Sequence, residues 1–217
     1  MKKLLLVALM LVFVFGTSTL AHAALVNLVP DDNKPFGTAD MPAGAGKTLL
    51  ASIVNAPWSG GFITGTLNQW VYRDVADNYL IFAYQVTNGA ASKDDIARVT
   101  MTDFGGWTTD VAYEALTGTG TLPNIFDRSG SMNQGATIGF DWSPPSNHLG
   151  VGKLSPVMWI KTNAQYYAMI GTTQVIDGGI GIVNTYSPTV PEPASMLLLG
   201  MGLIGFAGRT VRRKFVA

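Results

Sequence analysis

Large apolar side chains fall at Leu80, Phe82, Tyr84 and Val86, while Gln85 and Thr87 take the opposite face. A repeat of two places alternate side chains on opposite faces of a strand. Asn88-Gly89 then follows as a turn signal. Comparable runs occupy residues 49–54, 61–67, 69–75, 96–103, 108–116, 136–142, 156–162, 173–177 and 180–186. Gly, Asn, Asp, Ser and Pro separate them at intervals of about ten residues. Long stretches with the 3.6-residue period of a helix are missing. The pattern predicts an all-β fold: an antiparallel β-sandwich-like domain over residues 48–189. Trp70, Trp107, Trp142 and Trp159 are expected to anchor its core or its edge. Residues 24–47 read as a loop-like N-terminal segment, with Asp31, Asp32 and few periodic positions.

The two ends break this pattern. Lys2 and Lys3 precede an unbroken apolar run over residues 4–15, and Ala21-His22-Ala23 follows with small residues at both ends. That order reads as a secretory signal peptide over residues 1–23. At 1.5 Å per residue the run spans about 18 Å, short of a hydrocarbon core of about 30 Å. At the other end, Pro191-Glu192-Pro193 precedes an uncharged stretch over residues 194–208, and Arg209, Arg212, Arg213 and Lys214 close the chain. The apolar stretch is expected to cross a membrane as a helix over about residues 194–211, with Arg209 snorkelling to the headgroups. The basic cluster would stay cytoplasmic, which places the middle domain on the far side.

Composition sharpens the picture. The 217 residues hold 14 Lys+Arg, 14 Asp+Glu and no Cys. Without Cys, a disulfide framework, thiol catalysis and Cys-ligated zinc are excluded. The formal charge of zero hides a partition. Residues 24–190 carry 8 bases against 13 acids, a net of −5. An acidic middle argues against nucleic acid as a partner.

Taken in order, the triplet Pro191-Glu192-Pro193, the Gly-interrupted apolar stretch and the terminal Arg/Lys cluster resemble the PEP-CTERM sorting signal. That resemblance implies an exported protein of a Gram-negative, mostly polysaccharide-producing bacterium. It also implies processing by an exosortase, a membrane enzyme resembling a cysteine transpeptidase. The middle is similar to a recurring passenger of such proteins. The matching words are Phe82-Ala83-Tyr84-Gln85-Val86-Thr87-Asn88, Ile96-Ala97-Arg98-Val99-Thr100, Thr109-Asp110-Val111-Ala112-Tyr113, Asp127-Arg128-Ser129, Ile138-Gly139-Phe140, Lys161-Thr162-Asn163-Ala164 and Ile176-Asp177-Gly178-Gly179. The passenger resemblance supports an all-β fold and leaves activity open.

Several motifs suggest chemistry and are read otherwise. Gly44-Ala45-Gly46-Lys47-Thr48 resembles the end of a Walker A loop, but Met41 stands where its first Gly belongs. It is read as a Gly-rich turn before a strand, with no nucleotide. Asp127, Ser129 and Ser131 have the spacing of a D-x-S-x-S cation site. The doubly wound fold that builds such a site is not predicted here. A loop in which Asp127 and Ser129 bond local backbone amides is expected instead. Thr117, Thr119 and Thr121 would make one rung of an ice-binding array and are read as a flexible loop. His148 is the one histidine left after signal removal, and a Ser-His-Asp triad would have to use it. It lies in a Pro-Pro-Ser-Asn turn with no G-x-S-x-G elbow in the domain.

The sequence therefore predicts an exported, non-enzymatic protein of the cell envelope or exopolysaccharide matrix, without cofactor or metal. It would be anchored in the inner membrane with its β domain periplasmic, then moved to the surface or matrix after processing. A polysaccharide-active hydrolase and a glycan-binding module are the competing classes. Two carboxylates about 5–9 Å apart in a cleft would favour the hydrolase, and an exposed aromatic strip would favour the module. Cleavage is expected after Ala23. N-terminal sequencing of the exported form should begin at Ala24, and a product beginning at Met1 would refute the signal peptide.

Overall fold

The structure is a computed structural model that describes residues 25–35, 46–114 and 117–190. Its strands in chain order are β1 (Val26–Asn27), β2 (Asn33–Pro35), β3 (Lys47–Gly60), β4 (Ile63–Asp74), β5 (Leu80–Asn88), β6 (Arg98–Met101), β7 (Thr109–Glu114), β8 (Ile125–Arg128), β9 (Ile138–Asp141), β10 (Val157–Thr162), β11 (Tyr166–Ile176) and β12 (Ile180–Thr189). They form two six-stranded sheets, ordered β1-β7-β10-β5-β4-β3 and β12-β11-β6-β9-β8-β2. Neighbours in both sheets pair antiparallel. The all-β architecture expected from the alternation is present. The expected signal peptide and membrane-spanning segment, with Ala21, Ala23, Pro191, Glu192, Pro193, Arg209, Arg212, Arg213 and Lys214, lie outside the described residues. Among the described residues no helix is long and apolar enough to cross a membrane.

One continuous core fills the space between the sheets. Leu67, Val71, Phe82, Tyr84, Val111 and Ile160 contribute from the first sheet, and Val99, Met101, Phe126, Ile138, Phe140 and Val175 from the second. Phe126 and Phe140 face each other across β8 and β9, edge to face with centroids 4.9 Å apart. Trp58 closes one corner. A Cβ on Gly65 or Gly181 would fall 2.6 or 2.5 Å from its indole, so only glycine lets both sheets approach that ring. Trp142 is fully buried, and its indole N–H donates to Thr121 O.

The first sheet also buries its outer face. Trp70, Ala83, Trp159 and Ala112 stand in register across β4, β5, β10 and β7. Large rings thus alternate with methyl groups, and Ile81, Ala83 and Ala112 lie fully buried among them. Tyr72 packs on Trp159 at 5.6 Å, and the Lys47 ammonium lies 4.8 Å from the centre of the Trp159 ring. These aromatics cover a second apolar layer.

Several elements depart from the sequence expectation. Residues 61–67 and 69–75 form one strand, β4, and the polar Asn68-Gln69 pair does not break it. Gln69 occupies an inward position and is fully buried. Its amide accepts from Tyr186 N–H at 2.8 Å and donates to Tyr186 O at 2.6 Å. A side-chain amide thereby supplies the peptide partner that edge strand β12 lacks. The strand expected at 49–54 runs from Lys47 to Gly60, bent by register shifts and by Asn55 at φ 53. The 24–47 segment is not simply a loop. Its described part is a strap: β1 pairs with β7 in one sheet, and β2 pairs with β8 in the other. Leu28, between them, is fully buried. At the opposite side β3 and β12 meet, so both flanks of the sandwich are closed.

Burying a large apolar side chain is worth about 1.5–3 kcal/mol, against about 1 kcal/mol net for one hydrogen bond. Packing therefore holds the sheets together, and Gln69 fixes how β12 lies across β4. In Gln69→Leu the Tyr186 carbonyl keeps the Tyr84 hydroxyl as donor, but the Tyr186 N–H loses its acceptor. Urea unfolding should show a loss of about 1–3 kcal/mol with the slope unchanged. An unchanged midpoint would mean that the clamp contributes nothing.

Candidate functional site

Three walls enclose an open cleft of about 640 Å³ at one end of the second sheet. The β6–β7 loop supplies Asp103, Gly105, Gly106 and Trp107. The β8–β9 loop supplies Asn133, Gln134 and Ala136. The third wall is Ile170 of β11, Pro188 and Thr189 at the end of β12, and Val190 just beyond it. Ile170 reaches the cleft because the β11–β12 register shifts between Ala168 and Gly171, which leaves Met169 and Ile170 unpaired and more than half exposed.

The local sequence explains the two loops. Asp103, Gly106, Gln134 and Gly135 all have positive φ, at 68, 79, 52 and 66°. Glycine adopts this region without penalty, while for Gln134 it costs energy that the surroundings must offset. The loops brace each other: Phe104 N–H donates to Ala136 O at 2.9 Å, and Gly106 N–H to Gln134 O at 3.3 Å.

Behind both loops lies Arg128, 4% exposed at the end of β8. Its Nε donates to Gly135 O, Nη1 to Leu28 O and Thr109 Oγ1, and Nη2 to Phe104 O and Trp107 O, all at 2.8–2.9 Å. One guanidinium thus joins the strap, the first sheet and both cleft loops. Burial pulls its pKa below the ordinary value, and the field of Asp32 opposes that shift. Arginine remains protonated regardless, so the charge is stabilised by carbonyl dipoles instead of a bonded carboxylate.

The motifs singled out in the sequence lie elsewhere. Asp127 is on strand β8, not in a loop, and binds Arg98 instead of local amides, at 2.8 and 2.7 Å. Arg98 reaches Asp141 at 2.6 Å as well. The guanidinium crosses β9 at Gly139, where a Cβ would lie 1.9 Å from Asp127 Oδ1. Burial raises the Asp141 carboxyl, and Arg98 pulls it back. Ser129 does accept a backbone amide, from Thr137 at 2.9 Å. The Thr117–Thr121 segment is tethered, contrary to the flexible loop expected. Thr117 Oγ1 accepts from Val157 N–H, Thr119 Oγ1 from Leu154 N–H, and Thr121 Oγ1 donates to Asn147 O. His148 Nδ1 lies 3.1 Å from Asp177 Oδ2. Among the described residues no hydroxyl bonds its other ring nitrogen. Lys47 begins β3 after Gly46, which has φ 91.

Of the cleft residues, sequence reasoning named only Trp107, as a core anchor. It is half-buried, packed on the core by one part and lining the cleft by another. Gly105-Gly106 and Gln134-Gly135 were the available signals, since both demand unusual backbone.

Fold and cleft together define an all-β sandwich with a ligand-sized depression at the end where β12 leaves the domain. Residues 189–214 match the PEP-CTERM protein-sorting motif. The chain therefore carries the sorting tail that its last residues resemble, and the motif marks it as exported and exosortase-sorted. No curated protein and no solved structure matches the chain.

Arg128→Met should break five hydrogen bonds at once and leave Gly135 O and Trp107 O without their donor, while Leu28 O keeps the Thr109 hydroxyl and Phe104 O keeps the Trp107 N–H. Urea unfolding is expected to show a loss of at least about 4 kcal/mol, in the range reserved for broken buried networks. Arg128→Lys should recover less than half of it, because an ammonium offers three donors on a point charge. Full rescue by Lys would show that charge alone matters.

Proposed function

We propose that the protein is a non-enzymatic component of the cell envelope or extracellular matrix, delivered by its sorting tail. The observation that carries this reading is continuity. The motif match begins at Thr189, which is also the last residue of β12. The sandwich passes into the sorting segment without an intervening linker, so the domain is the cargo of that tail. Pro191-Glu192-Pro193 follows one residue after β12. Proline lacks an amide N–H and has fixed φ, which suits the triplet poorly to a helix interior or a central strand and well to recognition by a processing enzyme. The apolar stretch 194–208 halts translocation, and the basic cluster behind it stays cytoplasmic. The acidic domain then lies on the periplasmic side until processing.

Three of the side chains suited to catalysis, Asp127, Asp141 and His148, are engaged in ways that support a non-enzymatic role. Asp127 and Asp141 hold Arg98 between them, so both carboxylates are already engaged in ion pairs. His148 Nδ1 lies 3.1 Å from Asp177 Oδ2, and among the described residues no hydroxyl hydrogen-bonds its ring.

Replacing Pro191-Glu192-Pro193 by three alanines should leave membrane insertion intact and block processing. Unprocessed protein should then accumulate in the inner membrane of an exosortase-bearing host. Deleting residues 194–217 should instead release the domain in soluble form. Fractionation beside wild type distinguishes the two. Normal processing of the triple-alanine variant would reduce the triplet to a spacer.

A further inference from the structure

We infer that the cleft between the β6–β7 and β8–β9 loops is a binding site for a neutral saccharide. The inference deepens the matrix role and rests on it only for where the ligand is met; binding itself is independent of sorting.

The lining decides the ligand class. Among the described residues that line it, Asp103 is the single charged one, and no Lys or Arg takes part. A phosphate, a sulfate or an acidic sugar would meet a carboxylate with no counter-charge. A divalent cation would need several hard oxygen ligands. Among the described residues no group of three or more His, Cys, Asp or Glu could hold a metal. A purely apolar ligand would strip water from Asp103, Asn133 and Gln134 without replacing their hydrogen bonds.

What fits is a molecule with hydroxyls on its rim and an apolar face. A pyranose presents C–H groups on one face and hydroxyl pairs at its edge. Trp107 offers a broad apolar ring, and Ile170 and Pro188 continue that surface. The Asn133 and Gln134 amides each donate and accept, and the Asp103 carboxylate accepts. These three residues are exposed. The Asn133 and Gln134 side chains make no hydrogen bond among the described residues, and the Asp103 carboxylate accepts only from Thr102 Oγ1, at 3.0 Å. About 640 Å³ lies within the range of small-molecule sites.

The site is also built in advance. Positive φ at Asp103 and Gln134 aims both side chains, inter-loop amide bonds hold the walls together, and Arg128 ties both loops from behind. A rigid wall spares the ordering cost that otherwise weakens binding. The rings on the outer face of the first sheet do not compete as a platform. They cover fully buried Ile81, Ala83 and Ala112, and Trp159 is itself only 6% exposed.

The test is calorimetric titration of the full chain in detergent micelles. The probes are maltohexaose, cellohexaose and chitohexaose, with hyaluronan hexasaccharide as the acidic comparison. At least one neutral probe should bind with Kd below about 1 mM, and the acidic one should bind at least tenfold more weakly. Trp107→Ala should weaken binding at least tenfold. Trp107 also packs on the core, so Asp103→Asn provides a second variant, since Asn tolerates the same backbone. It should weaken binding severalfold with an unchanged unfolding midpoint. The inference is overturned if none of the neutral probes binds, if hyaluronan binds best, or if Asp103→Asn and Trp107→Ala both bind as wild type. Loss of binding in Trp70→Phe with none in Trp107→Ala would place the site on the outer face and overturn it too. None of these outcomes depends on whether the tail is processed.

Discussion

The Arg128 guanidinium is the interaction on which the rest of the architecture depends. A buried cation without a bonded carboxylate is tolerated only when every N–H finds an acceptor. The acceptors come from Leu28 in the strap, Thr109 in β7, Phe104 and Trp107 in one loop and Gly135 in another. They fall in three separate stretches, at residue 28, at 104–109 and at 135, and none can be omitted without leaving an N–H unpaired. Docking of the strap, closure of that flank and formation of the cleft walls are thereby coupled into one event. The cleft is the exposed end of a network whose purpose at its buried end is to satisfy a single side chain.

A second constraint works at the opposite flank. There two edge strands, β3 and β12, meet without pairing to each other. Trp58 fills the corner, and glycines at 65 and 181 make room for its ring. Gln69 then supplies the hydrogen bonds that a neighbouring strand would have given to Tyr186. One flank is closed by a charge and the other by an aromatic wedge with an amide clamp. Between them, the first sheet carries apolar residues on both faces, so β5 is buried along nearly its whole length.

Local signals were legible in the sequence, and long-range ones were not. Alternation at Leu80, Phe82, Tyr84 and Val86 marked β5, the most buried strand, because its inner face follows the period without exception. The sorting tail was legible because its triplet, apolar stretch and basic end are contiguous. β4 was split in two because Gln69 is polar at an inward position, and only the edge of β12 explains why. β8 was missed because two of its four residues, Asp127 and Arg128, are charged, and each pairs with partners remote in sequence. The strap escaped notice for the same reason: its strands are two and three residues long and exist through their partners. The cleft draws on residues 103–107, 133–136, 170 and 188–190, and no pattern within any one segment announces that they meet.

The continuity of β12 with the tail also gives the domain a defined response to force. A pull on the tail enters at Thr189 and runs along the strand. In an antiparallel ladder the hydrogen bonds lie across the strand axis, so such a pull shears them together instead of opening them one by one. The first stretch to bear it is short: Tyr166, Tyr167 and Ala168 pair with Thr189, Pro188 and Ser187 before the register shifts. Pro188 has no N–H to contribute there. Immediately beyond stands Tyr186, tied through Gln69 to the opposite sheet. The outer three pairs therefore act as a yielding section and the amide clamp as the stop, where tension leaves a single edge strand and spreads into the core.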